Sequence, residues 1–247
     1  MTFDWNIFVD ALTSSEFLHG AWLSLALAVA SMIFATVIGF AVALMRTNRR
    51  KPLRAVGGVY VWFFRAIPTL LVLLIIWNAG PQLFPALREN WFTPFFAAFI
   101  GFAIVEAAYM AEILRSALNS VDEGQHQAAR AIGLPPHKVL FKVVLPQAIK
   151  VALPPTGNEF IAMLKYTSLA SVISLRELLT TAQVGVSVTF RYAEYYSAAL
   201  VYYLVIVSVL MALQSLVERR YRWVSRGADT FVTAPKKTNM KKEGTTV

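Results

Sequence analysis

Gln127-Ala128-Ala129-Arg130-Ala131-Ile132-Gly133-Leu134-Pro135-Pro136-His137-Lys138-Val139-Leu140-Phe141-Lys142-Val143-Val144-Leu145-Pro146 is a charged, glycine-punctuated, proline-ended stretch between segments apolar enough to cross a bilayer. A membrane protein gains nothing from so ordered a loop unless something outside the membrane grips it. Ala128, Ala129 and Ala131 are small, which suits a short helix lying close against another surface. Gly133 stands where that helix ends, because glycine readily takes the left-handed conformation of a helix terminus. Pro135 and Pro136 force a new direction, since proline cannot continue the helix. Val143, Leu145 and Pro146 then lead back towards the membrane.

Hydrophobic residues make up 57% of the 247-residue chain and charged residues 15%, with a mean hydropathy of +0.56. A soluble domain of this length would carry far more surface charge, so the chain reads as an integral membrane protein. Its net charge of +9 raises nucleic acid as a partner. The basic residues, however, gather at the ends of apolar runs, where lysine and arginine set membrane orientation, so no nucleic acid is expected. Without cysteine there is no disulfide, thiolate metal site or cysteine nucleophile. Asp4, Asp10 and Glu16 precede the first apolar run, where a secretory signal would place basic residues.

Five crossings are expected. Ala21 to Met45 is uncharged and exceeds the roughly 20 apolar residues that a hydrocarbon core requires. It ends at Arg46, Arg49, Arg50, Lys51 and Arg54, a cluster that belongs on the cytoplasmic side. A second span runs from about Val56 to Trp77 and is interrupted by Arg65 and Pro68, the proline predicting a kink. Asn78 to Pro94 reads as an outer loop, and a third span covers about Phe95 to Leu114. Arg115 to Lys150 is the polar inner stretch. The fourth segment, about Val151 to Val172, contains Pro154, Pro155 and Gly157, which predict a helix break just before Asn158. Ser174 to Arg191 reads as a short outer excursion. The fifth span, about Tyr195 to Leu216, ends at Arg219, Arg220 and Arg222. The amino terminus is then outside and the carboxyl terminus inside. Residues 1–226 form one membrane domain with a loop at about 116–150, and 227–247 a flexible, lysine-rich cytoplasmic tail.

The loop resembles that of ATP-binding-cassette (ABC) importer permeases: Glu-Ala-Ala, three residues, Gly, nine residues, Ile, one residue, Leu-Pro. Gln127, Ala128, Ala129, Gly133, Val143, Leu145 and Pro146 fall in register, with Gln127 replacing the acid and Val143 the isoleucine. Ala107-Ala108-Tyr109, Ala111-Glu112-Ile113, Arg115, Ser120-Val121, Gly124-Gln125, Gln147-Ala148, Leu153-Pro154, Asn158, Lys165, Thr167-Ser168-Leu169 and Ser171-Val172-Ile173 look like the polar amino acid branch. Phe64-Arg65-Ala66-Ile67-Pro68 resembles that branch's second-span motif, and the closest look is to glutamate/aspartate importer permeases. The resemblance is strong from Phe64 to Leu179. It implies an all-α type I importer permease fold in the bacterial inner membrane, with a cytoplasmic coupling helix at Gln127, Ala128, Ala129, Gly133, Leu145 and Pro146. The implied partners are a cytoplasmic ABC ATPase dimer, a second permease subunit, an extracytoplasmic substrate-binding protein and an amino acid substrate. The alternative for the loop is an amphipathic helix lying on the membrane surface.

Charges inside spans cost about 2.5–3.5 kcal/mol each on insertion and face a cavity or a partner. Glu106, Glu159 and Lys165 are therefore substrate-binding candidates, and Asn158 joins them because it follows the predicted helix break and because the resemblance implies that the Asn158–Lys165 stretch lines the translocation path. Lys165 or a helix end is assigned to the α-carboxylate, Glu159 to the α-ammonium, and Asn158 to orienting either group. The alternative is that Glu106, Glu159 and Lys165 pair structurally with other segments. Arg65 reads as snorkelling to the headgroups, and Glu112 and Arg115 as an intrahelical ion pair. No G-x-x-x-x-G-K-[ST] loop, H-E-x-x-H or G-x-S-x-G occurs, so no catalytic residue, metal or cofactor is expected and ATP hydrolysis belongs to another subunit. The rivals are a membrane enzyme, a passive channel and an exporter. The substrate leans to glutamate or aspartate, with a basic amino acid as the alternative.

Overall fold

The structure is a computed structural model and describes residues 3–221. The expected lysine-rich tail from residue 227 lies outside the described residues, as do Arg222 and Trp223. Eleven α-helices follow one another: α1 Trp5–Thr13, α2 Ser15–Thr47, α3 Lys51–Ala66, α4 Thr69–Leu74, α5 Gly80–Leu83, α6 Pro94–Asn119, α7 Glu123–Ala131, α8 Pro136–Val139, α9 Leu145–Tyr166, α10 Leu178–Thr189 and α11 Tyr192–Tyr221. Four runs are long and apolar enough to cross a membrane: α2, α6, Pro136–Ile173 and Tyr192–Arg220. The bent pair Lys51–Ala66 and Thr69–Leu83 makes the fifth, as the apolar runs predict.

The bundle is organised around α2 and α6. α2 buries Ser24, Ala28, Ser31, Ala35, Gly39 and Ala43, one small residue every three or four positions. α6 answers with buried Ala97, Gly101, Ala103, Ala107 and Ala111. Small side chains let two helix backbones approach closely, which is how helices associate where lipid removes the hydrophobic drive. With 33 residues, α2 is about 50 Å long and outreaches the hydrocarbon core at both ends. Ser14 starts it by accepting the Phe17 N–H at 3.3 Å.

At the basic end of α2, Glu112 of α6 accepts Arg115 Nε and Nη2 at 3.2 and 2.9 Å. The expected intrahelical pair is present, and Arg46 of α2 joins it as a second cation. The pair thus becomes a tie between the two central helices. At the far end, α1 lies against α11: the Asp4 N–H donates to Glu194 Oε1 at 2.9 Å, and the Tyr202 hydroxyl to the Leu12 carbonyl at 2.8 Å. Trp5, Trp22 and Trp91 are exposed, as an interfacial aromatic belt requires.

Two breaks differ from the sequence reading. Pro68 does more than kink the second span: Ile67 and Pro68 are both extended, and the chain turns by 98°. Proline disfavours helical backbone in the residue before it, so two successive residues leave helical space. The predicted break at Pro154–Gly157 does not form. α9 runs unbroken through both prolines and loosens only after Tyr166, into a 3-10 stretch over Thr167–Ile173. The proline φ is itself helical, so the helix continues while the rings remove the N–H groups that would bond the Lys150 and Val151 carbonyls. Gln214 of α11 ties the same turn to its neighbour, its Nε2 donating to the Pro154 carbonyl at 3.2 Å and to Asn158 Oδ1 at 3.0 Å. Gly157 makes the approach possible, because a Cβ there would stand 2.7 Å from Gln214 Cδ. Gly157→Ala is therefore expected to destabilise the α9–α11 seam by about 1–3 kcal/mol. Thermal unfolding of the purified protein checks this, and an unchanged Tm would contradict it.

Candidate functional site

The loop that opens the sequence folds into a capped helix at the basic end. Asp122 caps α7 by accepting the Gly124 N–H at 2.7 Å. Its other end is a Schellman closure: the Leu134 N–H reaches the Ala129 carbonyl at 3.2 Å, the Gly133 N–H reaches the Arg130 carbonyl at 2.9 Å, and Gly133 has φ +79°. Such a closure satisfies the last carbonyls and needs a left-handed residue at that position. Ala129 is buried among Ala43, Ala117, Leu118, Val121 and Val139. It holds α7 to the bundle while Gln127, Ala128 and Gly133 stay exposed. Leu145 is half-buried and Pro146 exposed.

The return path is helical from Pro136, earlier than the sequence suggests, with one π turn over Leu140–Val144. Pro146 lacks the N–H that would bond the Lys142 carbonyl, and the wider turn stands directly before it. Gln147 Nε2 donates to the Val143 carbonyl at 3.0 Å. Ile132, which the sequence reading did not single out, is 76% exposed at the tip of α7, and Phe141 is exposed on the returning arm. Both apolar side chains are bare on an otherwise polar loop. The signal in the sequence was an isoleucine in the cap position of an alanine-faced helix.

The second site lies inside the bundle, where the chain turns at Pro68. A cavity of about 60 Å³ is lined by Thr69 at the start of α4, by Phe102, Val105, Glu106 and Tyr109 of α6, and by Glu159, Met163 and Tyr166 of α9. Each helix contributes one face, since residues three, four and seven apart lie above one another. Glu106 is 3% exposed, and its Oε1 has no hydrogen-bond partner among the described residues. A buried polar atom left without a protein partner costs free energy, so such an oxygen is a natural acceptor for water or a ligand group. The Arg65 guanidinium stacks over the Tyr109 ring, 5.3 Å from its centroid. Arg65 is itself exposed, and this contact sets it beside Tyr109 of the cavity wall.

The four candidates therefore separate. Glu106 and Glu159 share the cavity. Asn158 is exposed and accepts from Gln214, and Lys165 is exposed and absent from the lining. Asn158 and Lys165 are seven apart, one helical face of α9, whereas Glu159, Met163 and Tyr166 form another. That periodicity was available in the sequence. Which face turns inwards was not.

A further carboxylate, missed from sequence, lies between the spans. Glu177 is fully buried and caps α10, accepting the Leu179 N–H at 3.0 Å and the Thr180 N–H at 2.8 Å. The Thr180 and Tyr203 hydroxyls donate to it at 3.1 and 3.2 Å, and Ser24 Oγ lies 3.4 Å from it. Burial pushes its pKa up, while the donors from Leu179, Thr180 and Tyr203 pull it back.

The chain belongs to the family of binding-protein-dependent transport system inner membrane components, whose sequence profile matches residues 35–223. It is 38% identical to the probable amino-acid permease protein YxeN of Bacillus subtilis (strain 168), over 88% of this chain and 96% of that one. Identity to the octopine transport system permease protein OccM of Rhizobium radiobacter is 37%, over 94% of each chain. A solved amino acid ABC transporter with histidines matches at a TM-score of 0.79 and 36% identity, over 89% of this chain and all of that one. The MetNI methionine ABC transporter, at 22% identity and a TM-score of 0.69 over 84% of this chain and 96% of that one, shares the fold. The chain is thus a multi-pass, all-helical ABC transporter permease of the amino acid branch, as the sequence motifs imply.

Proposed function

We propose that this chain is the membrane-spanning subunit of a polar amino acid importer, driven through α7 by a separate cytoplasmic ABC ATPase pair. The observation that carries this reading is the shape of the loop: a helix capped at both ends, anchored by Ala129 and presenting Gln127, Ala128, Ile132 and Gly133 to solvent. A second permease copy or a related chain completes the pathway, and an extracytoplasmic binding protein delivers the solute. The Arg46–Arg54 and Arg219–Arg220 clusters stand at the ends of spans, which supports an outer amino terminus and a bacterial inner membrane location. Residues 1–226 are assigned to one permease domain, with 116–150 as its coupling loop.

Ala128→Cys is expected to cross-link to the ATPase subunit in intact cells, and Ala129→Cys to do so far less, because Ala129 faces the bundle. Capture of no nucleotide hydrolase from Ala128→Cys would remove the basis of this reading.

The cavity is proposed as a substrate contact, with Glu106 and Glu159 meeting cationic groups and Arg65 the α-carboxylate. Two carboxylates against one guanidinium, with Lys165 directed elsewhere, favour a solute of net positive charge. Cationic amino acids are therefore proposed ahead of the glutamate and aspartate suggested by motif resemblance.

A further inference from the structure

A separate crevice opens at the end of α2 remote from Arg46, and it shares no lining residue with the Glu106–Glu159 cavity. It measures about 400 Å³ and is lined by Asp10 of α1, Glu16, Phe17 and His19 of α2, Arg176 before α10, and Tyr195 of α11, among others. Along α2, Glu16 and Arg46 are about 45 Å apart. In the orientation proposed above, the crevice faces outwards.

Its walls are unlike one another. One is apolar: Phe17 is buried and its ring stacks against Tyr195 with centroids 6.3 Å apart. The others are charged, and those charges are unspent. The side chains of Asp10, Glu16, His19 and Arg176 make no hydrogen bond or ion pair with any described residue. Elsewhere at this end, equivalent groups do pair: Arg191 lies 3.6 Å from Glu194, and Glu194 accepts the Asp4 N–H. Opposite charges held around one hollow without meeting each other fit a ligand that carries both signs. A concave, half-apolar space of this volume with a few convergent polar groups is also the usual form of a small-molecule site.

We propose that this crevice is an outward-facing site for a free amino acid, distinct from the cavity inside the bundle. Arg176 receives the α-carboxylate, for which a guanidinium fork is well matched. Asp10 and Glu16 face the α-ammonium, and the solute's side chain lies against the Phe17–Tyr195 pair, where a cationic end group gains from the aromatic face. The site would hold the solute at the outer surface before it enters the bundle. The proposal rests on the reading of amino acids as the cargo.

The test uses the assembled transporter in lipid nanodiscs, with radiolabelled L-arginine, L-glutamine and L-glutamate as probes. With Glu106→Gln and Glu159→Gln combined, saturable binding of at least one probe is expected to remain. Adding Arg176→Ser should weaken that binding about tenfold or more, the loss of one charge-assisted contact, whereas Arg176→Lys should preserve most of it. Absence of binding in the double variant overturns the proposal, and so does binding that Arg176→Ser leaves unchanged. Should the double variant not assemble, stoichiometry decides: two sites per copy of this chain in the unmodified transporter, falling to one with Arg176→Ser. One site in both would overturn the proposal. Uptake of the same probes by the unmodified transporter tests the cargo separately. No uptake removes the importer reading, while uptake without binding at Arg176 removes only the crevice.

Discussion

Glu177→Ala is expected to lower the stability of the chain by about 3–5 kcal/mol, through the loss of a buried, fully partnered carboxylate. In a protein of this size that corresponds to a fall in Tm of about 6–20 °C. The reason lies in where its partners come from. Leu179 and Thr180 belong to the first turn of α10, Ser24 to α2 and Tyr203 to α11. Removing the carboxylate leaves two backbone N–H groups and the Tyr203 hydroxyl without their acceptor in a buried place. It also removes the group that locks three helices into one arrangement. Glu177→Gln keeps one acceptor oxygen and the side chain's volume and should cost clearly less, because it gives up the charge and one acceptor rather than the whole set. Thermal unfolding followed by size-exclusion chromatography reads both variants. If Glu177→Ala unfolds within a degree or two of the unmodified protein, the carboxylate does not hold the seam.

The second large effect concerns transport rather than stability. Glu106→Gln combined with Glu159→Gln is expected to reduce uptake about 100-fold while leaving assembly with the ATPase intact. One charge-assisted contact is worth about 1.5–3 kcal/mol, and the lower end of that range from each carboxylate gives two powers of ten. Neutralising buried Glu106 and half-buried Glu159 removes no volume, so the cavity keeps its walls and the fold should persist. Glu106 is the more telling single change, since its Oε1 has no partner within the described chain to lose. Lys165→Ala supplies the contrast. Lys165 points away from the cavity, so its removal should change uptake by less than about threefold. Uptake that survives the double change within a factor of two would take the cavity off the solute path.

Much of this molecule was legible before folding was considered. The uncharged run from Ala21 to Met45 declares a crossing by length and composition alone, and Gly133 followed by Pro135 and Pro136 declares where a loop helix must stop. Other features were visible but were given the wrong outcome. Pro154, Pro155 and Gly157 look like a broken helix in one dimension. The helix nevertheless continues through them, because a proline φ is compatible with it, and Gln214, about sixty residues away in sequence, donates to the Pro154 carbonyl and fills the space above Gly157. At Pro68, by contrast, Ile67 and Pro68 are extended and the chain turns by 98°. Asn158 and Glu159 are neighbours in sequence yet face different surroundings, because one step along a helix rotates a side chain by about 100°.

The amino-acid order by itself determined the membrane class, the five crossings, the family motifs and the stop of α7, because apolar length and backbone conformational limits act within a few residues. The three-dimensional packing alone decided which carboxylates face the hollow at Pro68, which proline pair is braced, and which donors converge on Glu177. Those outcomes depend on how each helix is rotated against its neighbours, and that rotation is set by side chains far away along the chain.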